Sequence, residues 1–388
     1  MTALVAILLA PFAILTAFFA IEVLAGLRPV RTRGQRGPAA SAVIVVPAHD
    51  EAAVIGETLR SLKDSLGERM RILVVADNCS DSTAERAREA GVEVVERNDP
   101  QRRGKGHALA FAADHLRPDP PDVIVVIDAD CSTDARSLRA LVDRAAVSGR
   151  PSQAINLLRP NREASPLVQL STFGFMLKNL VRQRGLQRLA GRVHLTGTGM
   201  ALPFVLFQSS GSVRSSIVED FALGLELADA GHAPTLVSEA VVWSGSSTEQ
   251  GTLVQRRRWE GGFLATALKQ GPKMVWRGLG AADLRLVLAG LDMLVPPLAL
   301  FALLSLAALT ISSVAIFASN SNWWPVIVLA VLLGFAGFAI FLAWVREGRR
   351  FVSFAVLVGI PFYVIWKLPL YAGLVRRGAP GEWLRTGR

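Results

Sequence analysis

The chain has 388 residues, 51% hydrophobic and 19% charged, with a formal net charge of +10 and a mean hydropathy of +0.37. Disordered chains are poor in apolar residues, so disorder is excluded. A single soluble domain is disfavoured, because such domains carry about 25% charged residues.

The excess apolar residues lie at the two ends. Residues 1–21 carry no charge; Glu22 is the first, and Arg28, Arg31, Arg33 and Arg36 follow. That length suits a bilayer crossing. A secretory signal places its positive charge before the apolar run. Here the charge comes after it, so residues 1–27 are expected to form a retained transmembrane helix. By the positive-inside rule, residue 28 onward then faces the cytoplasm.

From residue 41 to about 160, continuous apolar runs alternate with helix-compatible stretches. The runs are 42–46, 72–76, 92–95 and 123–127, and the later helical stretches are 82–90 and 107–116. Strands alternating with helices predict an α/β fold with a mostly parallel sheet. In such sheets ligands bind at the carboxyl ends of the strands. Those ends are polar: PAHDE (47–51), DNCSDST (77–83) and DADCSTD (128–134). A single Asp there reads as a helix cap, but three acidic clusters on one edge exceed what capping needs. Asp128 and Asp130 can aim two hard carboxylate oxygens at one Mg2+ or Mn2+ ion, which keeps positions open for water and phosphate.

The loop RNDPQRRGKGHA (97–108) sets Arg102, Arg103 and Lys105 among glycines, a composition suited to phosphate, though it is not a Walker A loop. GTGMAL (197–202) lacks the third glycine of a dinucleotide fingerprint and is set aside as one. A helix is predicted over 218–232 with Glu219 and Asp220 in its first turn, where the dipole favours negative charge. Between residues 251 and 285, seven Lys or Arg accompany two acidic residues, as in a helix lying on an anionic membrane surface. The spacing of Gln255, Arg258 and Trp259 goes beyond that reading. Cys79 and Cys131 have neither zinc-site nor disulfide spacing and are expected to be packing residues.

The second apolar block begins near residue 283. Leu286 to Ala318 holds one charge, Asp292; Pro325 to Val345 holds none; Phe351 to Val375 holds only Lys367. All eight tryptophans lie at 243 or later, and Trp323, Trp324 and Trp344 flank these runs as interfacial anchors do. About three C-terminal membrane segments are therefore expected. Both the basic loop 346–350 and the basic tail should be cytoplasmic, so Pro361 and Pro369 are expected to break the intervening segment into a re-entrant or interfacial hairpin.

In order and at similar intervals, PAHDE, DNCSDST, RRGKG, DAD, ED and QRRRW make residues 41–265 resemble the membrane-bound glycosyltransferases of family 2, which include cellulose and hyaluronan synthases. The resemblance implies a GT-A domain that binds a nucleotide sugar, usually a UDP-sugar, with an inverting mechanism. Glu51 and Asp77 match positions that contact the nucleoside, and Lys105 one near the nucleotide. Asp128 and Asp130 match the DxD metal pair, and Asp220 the general base. Gln255, Arg258 and Trp259 match QxxRW, whose Arg supports the diphosphate and whose Trp lies near the acceptor. His49-Asp50-Glu51 departs from the family's frequent His-Asn-Glu.

The expected layout is an N-terminal transmembrane helix at 1–27, a cytoplasmic GT-A domain at 41–250, interfacial helices at 251–284 and a C-terminal membrane region at 285–388, set in the inner membrane. The expected acceptor is lipid-linked, in polysaccharide or exopolysaccharide assembly. A processive synthase and a ceramide- or hopanoid-type lipid glycosyltransferase stay open as alternatives. A nucleotide-binding transporter or sensor would leave Asp220 and Trp259 unexplained. No nucleic-acid partner is expected, because the basic residues sit beside apolar segments without an RNA-binding signature.

Overall fold

The computed structural model describes the backbone of residues 1–30, 39–209, 219–245 and 249–377; the side chains at 219, 249–258, 374, 375 and 377 fall outside the description. Arg31, Arg33 and Arg36 and the tail from residue 378 also lie outside the described residues.

Eight strands form one sheet: β1 (Ala42–Ala48), β2 (Met70–Asp77), β3 (Glu93–Arg97), β4 (Val123–Val126), β5 (Cys131–Thr133), β6 (Ser152–Leu158), β7 (Met200–Pro203) and β8 (Thr235–Ser244), in the order β3-β2-β1-β4-β7-β6-β8-β5. The four predicted runs are β1 to β4, and they pair in parallel. In β1, β2 and β4 the continuous apolar character follows from burial on both faces; β3 lies at the sheet edge, and Glu93, which interrupts the run 92–95, is exposed there with Glu96. Ile44, Val46, Val125 and Ile127 enter one core, and Val43, Val45, Ile124 and Val126 enter the other.

Parallel pairing brings the carboxyl ends of β1, β2 and β4 to one edge. β7 runs antiparallel to β4, with Met200 opposite Val126, so the segment just before β7 arrives at that same edge. The predicted helix at 218–232 is present as Glu219–Asp229.

Thr2–Gly26, Leu298–Ala318 and Trp324–Gly348 are long and apolar enough to cross a membrane. The described residues thus hold two C-terminal helices of spanning length, rather than about three. Phe351 to Val375 does not form one helix; it divides into Phe354–Leu357, Ile360–Trp366 and Leu368–Arg377. Pro361 and Pro369 fall at the starts of the last two, where a missing N–H is tolerated. The apolar run from Leu286 to Ala318 is also broken. It forms an 11-residue helix, Leu284–Leu294, before Val295, Pro296 and Pro297 redirect the chain into Leu298–Ala318.

One long helical element joins the sheet to the apolar helices. It runs as Pro166–Met176, a π-turn at Leu177–Arg182, and Gln183–Ala190. The N-terminal helix crosses it in close contact. A Cβ at Gly26 would stand 1.9 Å from the Val181 carbonyl oxygen, and one at Gly185 2.1 Å from that of Glu22. At this crossing Arg182 donates to Glu22 at 2.6 Å and to Asp292 at 2.5 Å, and all three are buried. His194 holds the other oxygen of Asp292. Arg184 takes Glu347 at 2.7 Å. A single helix thus receives carboxylates from the first of the three spanning-length helices, the short helix before the second, and the end of the third.

Candidate active site

The polar strand ends enclose a cavity of about 830 Å³. Its walls come from the strand edge, including Glu51, Asp77, Lys105, Asp128 and Asp130; from the next layer, including Asp220 and Trp259; and from the C-terminal apolar segments, including Val295, Leu298, Tyr363 and Lys367. Seven of the nine residues expected to form the site therefore share one cavity. The other two, Gln255 and Arg258, have their backbone in the helix Glu249–Gly280, and their side chains lie outside the described residues. The side chain of Glu219 does as well.

Asp77 ends β2 and is 6% exposed. Arg97, at the end of β3, donates to it at 2.6 Å, and Asn78 donates to the same oxygen at 2.9 Å. His49 donates through Nδ1 to the Asp77 carbonyl oxygen at 2.7 Å. Asp50 has a left-handed backbone, with φ 53°, and its carboxylate accepts from the Ser80 N–H at 2.6 Å. It ties the loops after β1 and β2 together, which gives the departure from His-Asn-Glu a structural use. The Glu51 N–H donates to Thr83 Oγ1 at 2.8 Å, fixing the turn that places Glu51 on the cavity wall.

Asp128, Asp130 and Cys131 bring one ligand atom each to within 4.8 Å of one another. Burial, with Asp130 and Asp128 next to it, pushes the Cys131 thiol well up. The carboxylates are thus the available anionic donors, and two hard oxygens suit Mg2+ or Mn2+. Lys105 pairs with Asp128 and also donates to the Gly197 carbonyl at 2.7 Å. Arg103 lines the cavity, whereas Arg102 turns away to Asp99 at 2.8 Å and is 73% exposed.

The GTG of residues 197–199 sets Gly197 in this wall. Gly197 has φ +83°, and a Cβ there would lie 3.2 Å from Asp220 Oδ2 and 3.6 Å from Lys105 Nζ. Gly199, at φ +66°, is closed in by Val242 and Ala154. Buried Gln153 braces the loop, accepting from the Thr196 N–H at 3.0 Å and donating to the Thr198 carbonyl at 2.9 Å. A left-handed backbone costs a non-glycine residue about 1–2 kcal/mol. Gly197→Ala is expected to lower the melting temperature by a few degrees and to reduce turnover further than that loss explains, because the methyl displaces Asp220. Parallel melting and rate measurements check this.

Asp220 opens its helix beside Gly197. Burial pushes its carboxyl up, and the Lys105 and Lys178 cations pull against that shift. Next to it, Phe221 packs on His194 at 4.8 Å and on Phe263 at 5.4 Å, and Trp259 packs on Phe175 at 5.8 Å.

Arg97 and Lys178 belong to the site without having been singled out from the sequence, and Gly197 belongs to it in a role other than the dinucleotide fingerprint. Lys178 comes from the π-turn, and its ammonium sits over Phe263 at 5.2 Å. Its only sequence signal is a charge inside the apolar run STFGFMLKNLV (171–181).

Residues 38–262 match the family model described as glycosyltransferase like family 2. Among solved structures, the fold is similar to the mannosyltransferase PcManGT from Pyrobaculum calidifontis, solved with GDP-Man and Mn2+. That likeness has a TM-score of 0.58 at 17% identity and covers 95% of this chain and 100% of that chain. The glucosyl-3-phosphoglycerate synthase from Mycobacterium tuberculosis, solved with Mn2+, UDP and phosphoglyceric acid, aligns with a TM-score of 0.39 at 21% identity, over 59% of this chain and 84% of that one. A search of the curated proteins returned no match. The family match spans more than half of the chain and takes in every acidic strand end of the cavity; the chain belongs to glycosyltransferase family 2, and it is a glycosyltransferase with a GT-A-like α/β fold.

Proposed function

We propose that the protein transfers a sugar from a UDP-sugar to a lipid-linked acceptor, with inversion, at the cytoplasmic face of the inner membrane. One observation carries this reading. The carboxylates suited to a metal-bound diphosphate, the half-buried Asp220, and apolar residues from the foot of a spanning-length helix all border the same cavity. A donor on the strand edge and an acceptor from the membrane side would meet at Asp220.

In this reading Glu51 and Asp77 contact the nucleoside and Lys105 the phosphates. Asp128 and Asp130 hold Mg2+ or Mn2+, in keeping with the Mn2+ in the Pyrobaculum structure. A divalent ion there supplies positive charge to the departing diphosphate. Arg258 adds charge at the same place, and Gln255 and Trp259 face the acceptor. Asp220 takes the proton of the acceptor hydroxyl as its oxygen bonds to the anomeric carbon. The electron pair of the broken bond leaves on the diphosphate, and attack from the opposite face inverts the centre. Single addition to a polyprenyl-diphosphate-linked oligosaccharide is favoured over processive synthesis, because few helices are available to line a channel.

The test combines purified protein, divalent metal and membrane lipid extract with UDP-sugars and GDP-sugars in separate reactions. The expected result is lipid-dependent release of UDP and a lipid product heavier by one sugar in mass spectrometry. Release from GDP-sugars alone overturns the donor, lipid-independent release overturns the acceptor, and a ladder of products overturns single addition. Asp128→Ala and Asp130→Ala are each expected to lower metal-dependent UDP affinity more than about tenfold, or 1.4 kcal/mol. Unchanged affinity in titration calorimetry would remove the pair from the site.

A further inference from the structure

The helix that carries Gln255, Arg258 and Trp259 continues at once into Glu260, a carboxylate that the proposed chemistry does not use. Glu260 is 7% exposed, and both of its oxygens are taken by the C-terminal segment. Lys367 holds Oε1, and the Tyr371 hydroxyl donates to Oε2 at 2.9 Å. Lys367 and Tyr371 are themselves only 4% and 6% exposed.

The sequence around Lys367 is arranged for this contact. Lys367 is the single charge between Phe351 and Val375, and the chain's only two tyrosines, Tyr363 and Tyr371, lie four residues before and four after it. Lys367 stands at the break between the two short helices, with Tyr363 on the first and Tyr371 on the second. The ammonium lies 5.4 Å from the ring centre of Tyr363 and 5.9 Å from that of Tyr371, within cation–π range. Glu260, Tyr363 and Lys367 also line the cavity.

Stability alone does not account for such a group. The desolvation cost of a buried ion pair is such that well-packed apolar residues often do as well or better, and the best-attested use of a retained pair is to fix register. Here the register is that of the helix bearing Trp259 against the short helices Ile360–Trp366 and Leu368–Arg377. Trp259 in turn packs on Phe175 of the helix Pro166–Met176.

We propose that Glu260, Lys367 and Tyr371 form a positioning clasp, which makes the C-terminal segment a wall of the acceptor end of the cavity and sets Trp259 for the acceptor. The clasp rests on the acceptor reading given above. It acts through Trp259 and the cavity wall, and donor binding at Asp128 and Asp130 is outside its reach.

The test uses the full chain in nanodiscs, with UDP and Mn2+ as the donor probe and vesicles of bacterial total lipid extract as the acceptor source. Lys367→Met and the milder Tyr371→Phe are expected to raise the lipid concentration giving half-maximal transfer about tenfold and about threefold. UDP affinity is expected to stay within twofold of the parent. The charge reversal Glu260→Lys with Lys367→Glu is expected to recover at least half of the loss. Unchanged lipid dependence, a parallel fall in UDP affinity, or no recovery by the reversal overturns the clasp. Hydrogen exchange gives a readout that needs no acceptor: Lys367→Met should expose amides at 259–263 and 360–375 while those at 123–131 keep their protection. Unchanged protection at 259–263 also overturns the clasp, whatever the transfer assay gives. A parent protein that forms no lipid product overturns the acceptor reading instead, and the exchange result still decides the contact.

Discussion

Asp220→Asn is expected to bind UDP-sugar with the parent's affinity and to lose transfer by about 10²–10⁴-fold, the range typical of a positioned general base. The substitution keeps the shape of the side chain beside Gly197 and Lys105 but removes its ability to take a proton. Titration calorimetry with donor and metal, paired with a transfer assay, separates the two effects. Undiminished turnover would refute the role. The pH profile supplies a second check. Burial pushes the Asp220 carboxyl above its usual range, and a base works only when ionised. The acid limb of kcat/KM should therefore lie above the ordinary aspartate value of about 4, with activity falling as pH drops through it. Lys178→Met removes one of the two cations that stabilise the ionised form and should move that limb further up.

Arg182→Met is expected to destabilise the protein by about 3–5 kcal/mol, because it leaves Glu22 buried without its cation and Asp292 with His194 alone. The expected signature is a lower melting temperature and a shorter half-life in detergent. The triple variant Arg182→Met with Glu22→Gln and Asp292→Asn should regain most of that loss, since replacing a whole buried ionic group is often neutral. A single variant as stable as the parent would mean that the two carboxylates find compensation elsewhere.

The strand edge was legible in the sequence for a physical reason. A strand covered on both faces must be apolar throughout, so runs such as Ala42–Val46 announce it, and the polar residues that end each run mark where the ligand edge begins. The short antiparallel strands gave weaker signals. β7 has four residues and β5 three, too few for an alternation to register. GTG was rejected for one use and found in another because its glycines answer to tertiary neighbours, Asp220 and Val242, that no local pattern records. The long helix from Pro166 to Ala190 was equally hidden. Its faces meet cavity, membrane helices and core together, so it lacks a single polar stripe, and the π-turn that delivers Lys178 has no period of its own. The break after Leu294 was written in the sequence as Pro296-Pro297, but hydropathy alone passes over it, because both prolines lie within an apolar run.

Glu22 has a consequence for how the molecule is made. Its cation, Arg182, lies 160 residues further along the chain, and at 5–20 residues per second it leaves the ribosome on the order of 10–30 s later. During that interval the first apolar helix holds a carboxylate with no partner near its C-terminal end, where the side chain can still reach interfacial water. The anchor is thus inserted early and seated late. Its final depth and rotation are set when the helix bearing Arg182 arrives and Gly26 and Gly185 close the gap between the two backbones. The Glu22–Arg182 contact can close before Leu298–Ala318 and Trp324–Gly348 have been made, so the first apolar helix meets the sheet domain ahead of the other two.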